Sequence, residues 1–192
     1  ILDRSRSNYR AAGAVAGDRA GLAWVDLSTG AFEAEDLPRL DLVDEVTRVR
    51  PAEVLFSEEA AEREKPLVEE LRLVARNLVT PAPPWTFERS DAHRRLTRHF
   101  ATASLDGFGV EDLDLGVGCA GALLAYLEET QKTSLRHLTR IERHRRDDKV
   151  FLDRSTQLSL ELTATLRDND VKGSLVWVLD RTRTSMGARL LR

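Results

Sequence analysis

The chain has 192 residues, of which 42% are hydrophobic and 32% charged, and its formal net charge is −3. This composition is typical of a globular protein and excludes intrinsic disorder. No apolar run approaches the roughly 20 residues of a membrane span, and no signal peptide is recognisable. The single cysteine, Cys119, excludes an internal disulfide and a cysteine zinc site, which favours a reducing cytosol.

The charge is unevenly distributed along the chain. Residues 132–192 carry 14 Lys or Arg and 8 Asp or Glu, a balance of +6, whereas residues 1–131 carry 15 and 24, a balance of −9. The change of sign predicts a first domain over 1–131, a linker over 132–148 and a second domain over 149–192. The basic segment could face nucleic acid or an acidic partner, or it could simply have solvated, arginine-rich helix faces.

The first third of the chain has strand signals. Residues 10–17 and 21–27 predict a hairpin with Asp18-Arg19 at its connection, and the Ser28-Thr29-Gly30 turn leads into a third strand over 31–37. Further along, the pattern predicts a helix over 40–49, a strand over 53–56, a helix capped by Ser57, a helical stretch over 67–73 and a short strand at 78–79. These elements together predict a mixed α/β unit.

From Phe87 the pattern becomes helical. One helix is predicted over 87–100 and a second over 114–131, with apolar residues at the helical period. The second helix starts with a group of small residues that permits close approach of another backbone: Gly116, Gly118, Cys119, Gly121 and Ala122.

No catalytic constellation is recognisable. A phosphate-binding glycine loop is absent, and Cys119 among small apolar residues is typical of a packed core thiol. The four histidines do not share a helix face with metal-ligand spacing. We therefore expect His93, His99, His137 and His144 to be ordinary surface histidines.

Asp26 is the one carboxylate that leaves an enzymatic alternative open. A strand-borne aspartate can hold Mg²⁺ in a nuclease, which here would need convergence with Asp112, Asp114 or Asp168. The simpler interpretation is that Asp26 forms the turn at the end of its strand.

Three arginines mark a candidate partner-facing surface on the helix predicted over 87–100. With Ala92 and Leu96 facing inward, Arg94, Arg95 and Arg98 lie outside the apolar face. Such a surface suits an acidic partner or phosphates, although a solvated helix face has the same pattern.

Five motifs follow one another along the chain in a characteristic order and spacing: GLAWVDLSTGAF (21–32), GFGVED (107–112), LLAYLEETQKTSLRHL (123–138), LDRSTQLSLEL (152–162) and LDRTRTSMGARLLR (179–192). In these motifs, and over nearly its whole length, the chain resembles the MutS family of bacterial DNA mismatch-repair proteins. Two departures are Ser159, where the family usually has asparagine, and Ser185, where proline often precedes Met-Gly.

This resemblance implies a ribonuclease-H-like connector domain without an active site, followed by the start of an all-α core or lever domain. It also implies a helix over 158–162, with Asp153 as its N-cap, where strict alternation favours a strand. The family's ATP and Mg²⁺ belong to an ATPase domain outside this chain, so no cofactor is expected here.

The same resemblance implies a bacterial cytoplasmic protein that docks a MutL-type partner. The intact protein would be a homodimer that binds mismatched duplex DNA, whereas this chain would bind DNA weakly or not at all and no membrane. The chain starts at Ile1 and ends inside an apolar helical pattern, so we expect a piece of a longer protein whose incomplete lever exposes apolar helix faces.

The predicted role is therefore a non-catalytic connector and lever that relays conformational change. Two alternatives remain at this point: a metal-dependent nuclease using Asp26, and a module that binds DNA through its basic end.

Overall fold

The computed structural model describes residues 9–75, 78–130, 135–145, 154–168, 170–184, 187–188 and 191. Contacts divide these residues into two compact units, of which the first ends at Arg145 and the second begins at Arg154.

The first unit is built on a six-stranded mixed sheet with the order β5-β4-β1-β2-β3-β6. Three antiparallel strands form its centre, and the other three each pair in parallel with a neighbour. The strands are β1 (Tyr9–Ala16), β2 (Arg19–Asp26), β3 (Phe32–Pro38), β4 (Glu53–Ser57), β5 (Val79–Ala82) and β6 (Glu142–Arg143).

Helices cover both faces of this sheet. The helices of the first unit are α1 (Leu42–Val49), α2 (Glu58–Arg63), α3 (Lys65–Val74), α4 (Arg89–His99) and α5 (Leu115–Thr130). Two apolar clusters result, because α1 and α3 pack on the face that carries Trp24, and α4 and α5 pack on the face that carries Val25. The mixed sheet flanked by helices is the α/β architecture that the sequence predicts.

Helix α5 lies at the centre of the apolar cluster on the Val25 face, and nearly every residue of its first three turns is buried. Its glycines make the close contacts expected of them. A Cβ on Gly116 would lie 2.7 Å from the Glu35 carbonyl oxygen, and a Cβ on Gly121 would lie 2.2 Å from the Ala92 Cβ. Only glycine lets the backbone of α5 approach β3 and α4 this closely, so the predicted role of the small residues is confirmed.

The first hairpin differs from its prediction by one residue. The connection between β1 and β2 is Gly17-Asp18 rather than Asp18-Arg19, and Arg19 already belongs to β2. Gly17 has a φ of 61°, which only glycine adopts without strain.

Residues 135–145 lie in the first unit, although the sequence predicts that they belong to a linker over 132–148. Leu138 and Ile141 are buried in the cluster around α5, and β6 pairs with β3. The last strand of the sheet, β6, therefore comes from the segment that follows α5.

The second unit contains helices α6 (Arg154–Ser159) and α7 (Leu175–Leu179) among its described residues. Helix α6 covers only Leu158 and Ser159 of the helix implied over 158–162, and no strand forms there. Residues 160–162 form a turn and a bend, in which Glu161 has a φ of 45° in the left-handed region. The proposed N-cap Asp153, together with Ser185 and Met186, lies outside the described residues.

Helix α7 is capped at Ser174, whose Oγ accepts a hydrogen bond from the Trp177 backbone N–H at 3.3 Å. Its apolar side chains are nevertheless exposed, with Trp177 at 52% and Leu179 at 57%. No helix in the described part of the chain is long and apolar enough to cross a membrane.

Candidate functional site

The three arginines of α4 occupy different environments. Arg94 is exposed and forms an ion pair with Asp91 one turn earlier, and Arg98 is exposed as well. Arg95 is half-buried instead, because it lies against α5, where its Nη1 donates to the Gly121 carbonyl oxygen at 3.4 Å. Two of the three candidate partner-facing residues therefore point to solvent, and Arg95 links α4 to α5.

Asp26 forms the turn at the end of β2. Its buried Oδ1 accepts a hydrogen bond from the Ser28 backbone N–H at 2.8 Å and another from the Ser28 hydroxyl. The turn-forming interpretation is confirmed, since this is the bonding of an Asx-turn.

Two of the other carboxylates named for a nuclease site, Asp112 and Asp114, have separate partners. Asp112 pairs with Arg143 at 2.8 Å, and the guanidinium holds the pKa of the Asp112 carboxyl below its usual value. Asp114 lies 3.8 Å from Arg19, at the opposite end of β2 from Asp26. Positions 19 and 26 are seven steps apart along the strand, roughly 23 Å at about 3.3 Å per step, so Asp26 and Asp114 cannot share a metal ion.

A polar cluster, which we call the β3–α1 cluster, lies on the face of the sheet that α1 and α3 cover. It consists of Glu33 and Glu35 on β3, Glu45 and Arg48 on α1, and His144 directly after β6. Glu33 and Glu35 are two residues apart on one strand, so their side chains share a face. The cluster joins the end of β6 to β3 and α1, which lie far from it in sequence.

The imidazole of His144 is at the centre of the β3–α1 cluster. Its Nδ1 lies 2.7 Å from Glu33 Oε2, and its Nε2 lies 3.6 Å from Glu45 Oε1. The ring also packs edge-on against Trp24, with 5.0 Å between the centroids. The expectation that His144 is a surface histidine is wrong, because the residue is only 7% exposed.

The expectation is wrong because His144 falls in the linker predicted over 132–148, while the pairing of β6 with β3 carries His144 under α1. A usable signal is present in Glu33 and Glu35, two carboxylates at strand spacing that share one face of β3. Charged side chains on a buried strand face require partners.

Arg48 completes the cluster at its edge. Its Nε donates to Glu45 Oε1 at 2.6 Å, and its guanidinium carbon lies 5.3 Å from the Trp24 ring centroid. Glu45 is almost fully buried, so this charged hydrogen bond offsets part of the desolvation cost of its carboxylate.

His137 is exposed, as expected of a surface histidine, whereas His93, His99 and the cysteine have structural contacts. His93 Nε2 lies 3.0 Å from Glu111 Oε1, and His99 Nε2 lies 2.9 Å from the Leu138 carbonyl oxygen. Cys119 is fully buried with its Sγ 3.4 Å from the Gly21 carbonyl oxygen, and burial raises the pKa of its thiol well above the usual value. The interpretation of Cys119 as a packed core thiol is confirmed.

The fold and these contacts define an α/β domain stabilised by a central helix, which is followed along the chain by a second unit that contains two short helices among its described residues. The family model of MutS domain II matches residues 8–139, and that of MutS domain III matches residues 155–192. The chain therefore belongs to the MutS family and comprises its domain II and part of its domain III.

Curated relatives give the same result. The chain is 42% identical to the DNA mismatch repair protein MutS of Symbiobacterium thermophilum over the whole chain and 22% of that protein. It is 41% identical to that of Salinibacter ruber (91% of the chain, 19% of that protein) and 39% identical to that of Thermosynechococcus vestitus (100% and 23%). The chain thus spans about a fifth of the length of these relatives.

Proposed function

We propose that this chain is the non-catalytic connector and the start of the lever in a DNA mismatch-repair protein of the bacterial cytoplasm. In the whole protein it would carry a conformational signal between the part that reads mismatched duplex DNA and the part that uses ATP and Mg²⁺. The observation that carries this proposal is the consecutive match to MutS domains II and III along one chain. We further propose that the whole protein works as a homodimer and signals to a MutL-type partner.

The packing of the first unit suits a mechanical role. A connector transmits displacement only if it moves as a rigid body, and close-packed interiors resist deformation. Helix α5 meets β3 through Gly116 and α4 through Gly121, with no room for even one additional methyl group at either contact. A displacement of α4 would therefore be transmitted through α5 to the sheet with little deformation of the domain.

The docking part of the proposal rests on Arg94 and Arg98. Both are exposed on one helix, and their charge suits an acidic partner surface. Arg95 is excluded from this surface because it packs on α5.

A pull-down tests the docking surface. The 192-residue chain is immobilised and exposed to purified MutL, and the Arg94→Glu/Arg98→Glu double variant is expected to retain MutL at least about tenfold less than the unmodified chain.

The matched control is Arg63→Glu/Arg72→Glu, which reverses two exposed arginines on α2 and α3. Arg63 and Arg72 each pair with a glutamate within their own helix, as Arg94 does with an aspartate. Equal retention by both double variants would remove α4 as the docking surface.

A further inference from the structure

The β3–α1 cluster contains a set of donors suited to a metal ion. One ligand atom each from Glu35, Glu45 and His144 can be chosen so that all three lie within 4.8 Å of one another. These residues are 3%, 1% and 7% exposed. Bulk water therefore has little access to the donors.

The orientation of His144 matches that of a histidine ligand. Metal-binding histidines usually donate their second ring N–H to a carboxylate, which fixes the tautomer and increases the basicity of the ligating nitrogen. Glu33 lies 2.7 Å from Nδ1 and can accept that hydrogen bond. With the proton on Nδ1, Nε2 carries a lone pair that is available to a metal ion.

The distance between His144 Nε2 and Glu45 Oε1 suits two ligands of one metal ion rather than the two ends of a hydrogen bond. Their distance of 3.6 Å exceeds the range of an N–H···O bond. Metal–ligand bonds of about 2.1 Å in tetrahedral geometry place two ligand atoms about 3.4 Å apart. Small side-chain adjustments would therefore close the site around an ion.

The charges of the cluster favour a dication. Glu35 and Glu45 bring two negative charges into the interior, where carboxylates are paired or coordinate metals. Arg48 approaches Glu45 from the edge and has a side chain that is 34% exposed. Its hydrogen bond can orient the Glu45 carboxylate, as Glu33 orients His144, because carboxylates that bind metals are commonly hydrogen-bonded to a neighbouring side chain.

We propose that Glu35, Glu45 and His144 bind one divalent transition-metal ion of the Zn²⁺ type, with a fourth position for water. The mixed nitrogen and oxygen donors favour this class over Mg²⁺, which prefers oxygen ligands. The ion would fasten the segment after β6 to β3 and α1, and so would fix the end of the connector domain to its own sheet.

The competing arrangement contains no metal. In it a protonated His144 bridges Glu33 and Glu45 as a buried ion-pair network. The two arrangements differ in stoichiometric metal binding, which can be measured directly on the 192-residue chain.

The test is a calorimetric titration of the purified chain with ZnCl₂, accompanied by Co²⁺ absorption spectra as a report of four-coordinate geometry. We expect one ion per chain and a rise in Tm on addition of Zn²⁺, because an ion that binds only the folded state stabilises it. Glu35→Gln is expected to abolish the binding, and Glu33→Gln to weaken it by about 10- to 100-fold.

The control variant is His93→Gln, which removes a histidine that also pairs with a glutamate but lies outside the cluster. It should bind Zn²⁺ as the unmodified chain does. The proposal is overturned if the unmodified chain binds no stoichiometric Zn²⁺. It is also overturned if the Glu35→Gln variant and the His144→Gln variant each still bind Zn²⁺, since the ion would then lie elsewhere.

Discussion

The two units of the chain use their apolar side chains differently. In the first unit, helix α5 is buried on almost every side, and the leucines at positions 123, 124 and 127 are fully inaccessible. In the second unit, helix α7 exposes Leu175, Trp177, Val178 and Leu179. Stability in a helix this short comes from packing rather than propensity. The contrast indicates that the first unit has a complete core and that α7 has few buried contacts.

The largest expected effect comes from shortening a buried leucine in the first unit, compared with an exposed leucine in the second. Leu124→Ala in α5 removes a fully buried side chain and should lower the free energy of unfolding by about 2–5 kcal/mol. Leu179→Ala in α7 is the matched variant and should change it by less than about 0.5 kcal/mol. Denaturation in urea, followed by circular dichroism, measures both. Similar losses would mean that α7 is packed as tightly as α5.

Overpacking should have the next largest effect. Gly121→Ala would put a Cβ 2.2 Å from the Ala92 Cβ, so α4 and α5 would have to separate at a cost of about 1–3 kcal/mol. Gly107→Ala is the control, since nothing lies within 4 Å of the added Cβ. Urea midpoints that fall equally in the two variants would show that the α4–α5 contact adjusts freely.

Asp36 connects the sheet to the start of α5. Its carboxylate accepts hydrogen bonds from the Asp114 N–H at 2.9 Å and the Gly116 N–H at 2.6 Å, and it pairs with Arg19. Asp36→Ala should cost about 0.5–2 kcal/mol, as the loss of a helix cap does. Thermal unfolding checks this, and an unchanged Tm would exclude a capping role.

A smaller, pH-dependent effect is expected at Glu111. The Leu105 backbone N–H, at 2.6 Å, and His93 hold the pKa of the Glu111 carboxyl below its ordinary value of 4.5. A depressed carboxyl pKa stabilises the fold above the ordinary value, and this contribution disappears as the pH falls through the lowered pKa. The stability difference between the unmodified chain and Glu111→Gln should therefore be larger at pH 7 than at acid pH. A pH-independent difference would contradict this.

Local patterns predict most of the first unit. Apolar segments bounded by turn residues predict β1 to β4 within a few residues, and the glycines near the start of α5 predict its close packing. These features depend on residues that are neighbours in sequence, so a local pattern is enough to reveal them. The predicted hairpin turn is displaced by one residue because Gly17, with its positive φ, takes the first turn position ahead of Asp18-Arg19.

The β3–α1 cluster could not be predicted in the same way. It depends on the pairing of β6 with β3, which brings together His144 and Glu33, 111 positions apart. A two-residue strand gives almost no periodicity, so the polar stretch around it resembled a linker. The same long-range packing explains why Arg95 differs from Arg94 and Arg98, since the helical wheel of α4 contains no information about α5.

Hydrogen exchange on the purified 192-residue chain tests the contrast between the two units most directly. Amides in fully packed elements exchange only through global unfolding, whereas weakly packed helices open locally. We expect the amides of α5 to show the highest protection in the chain and those of α7 to exchange orders of magnitude faster. Equal protection of α5 and α7 would contradict the claim that the first unit has a complete core and that α7 is weakly packed.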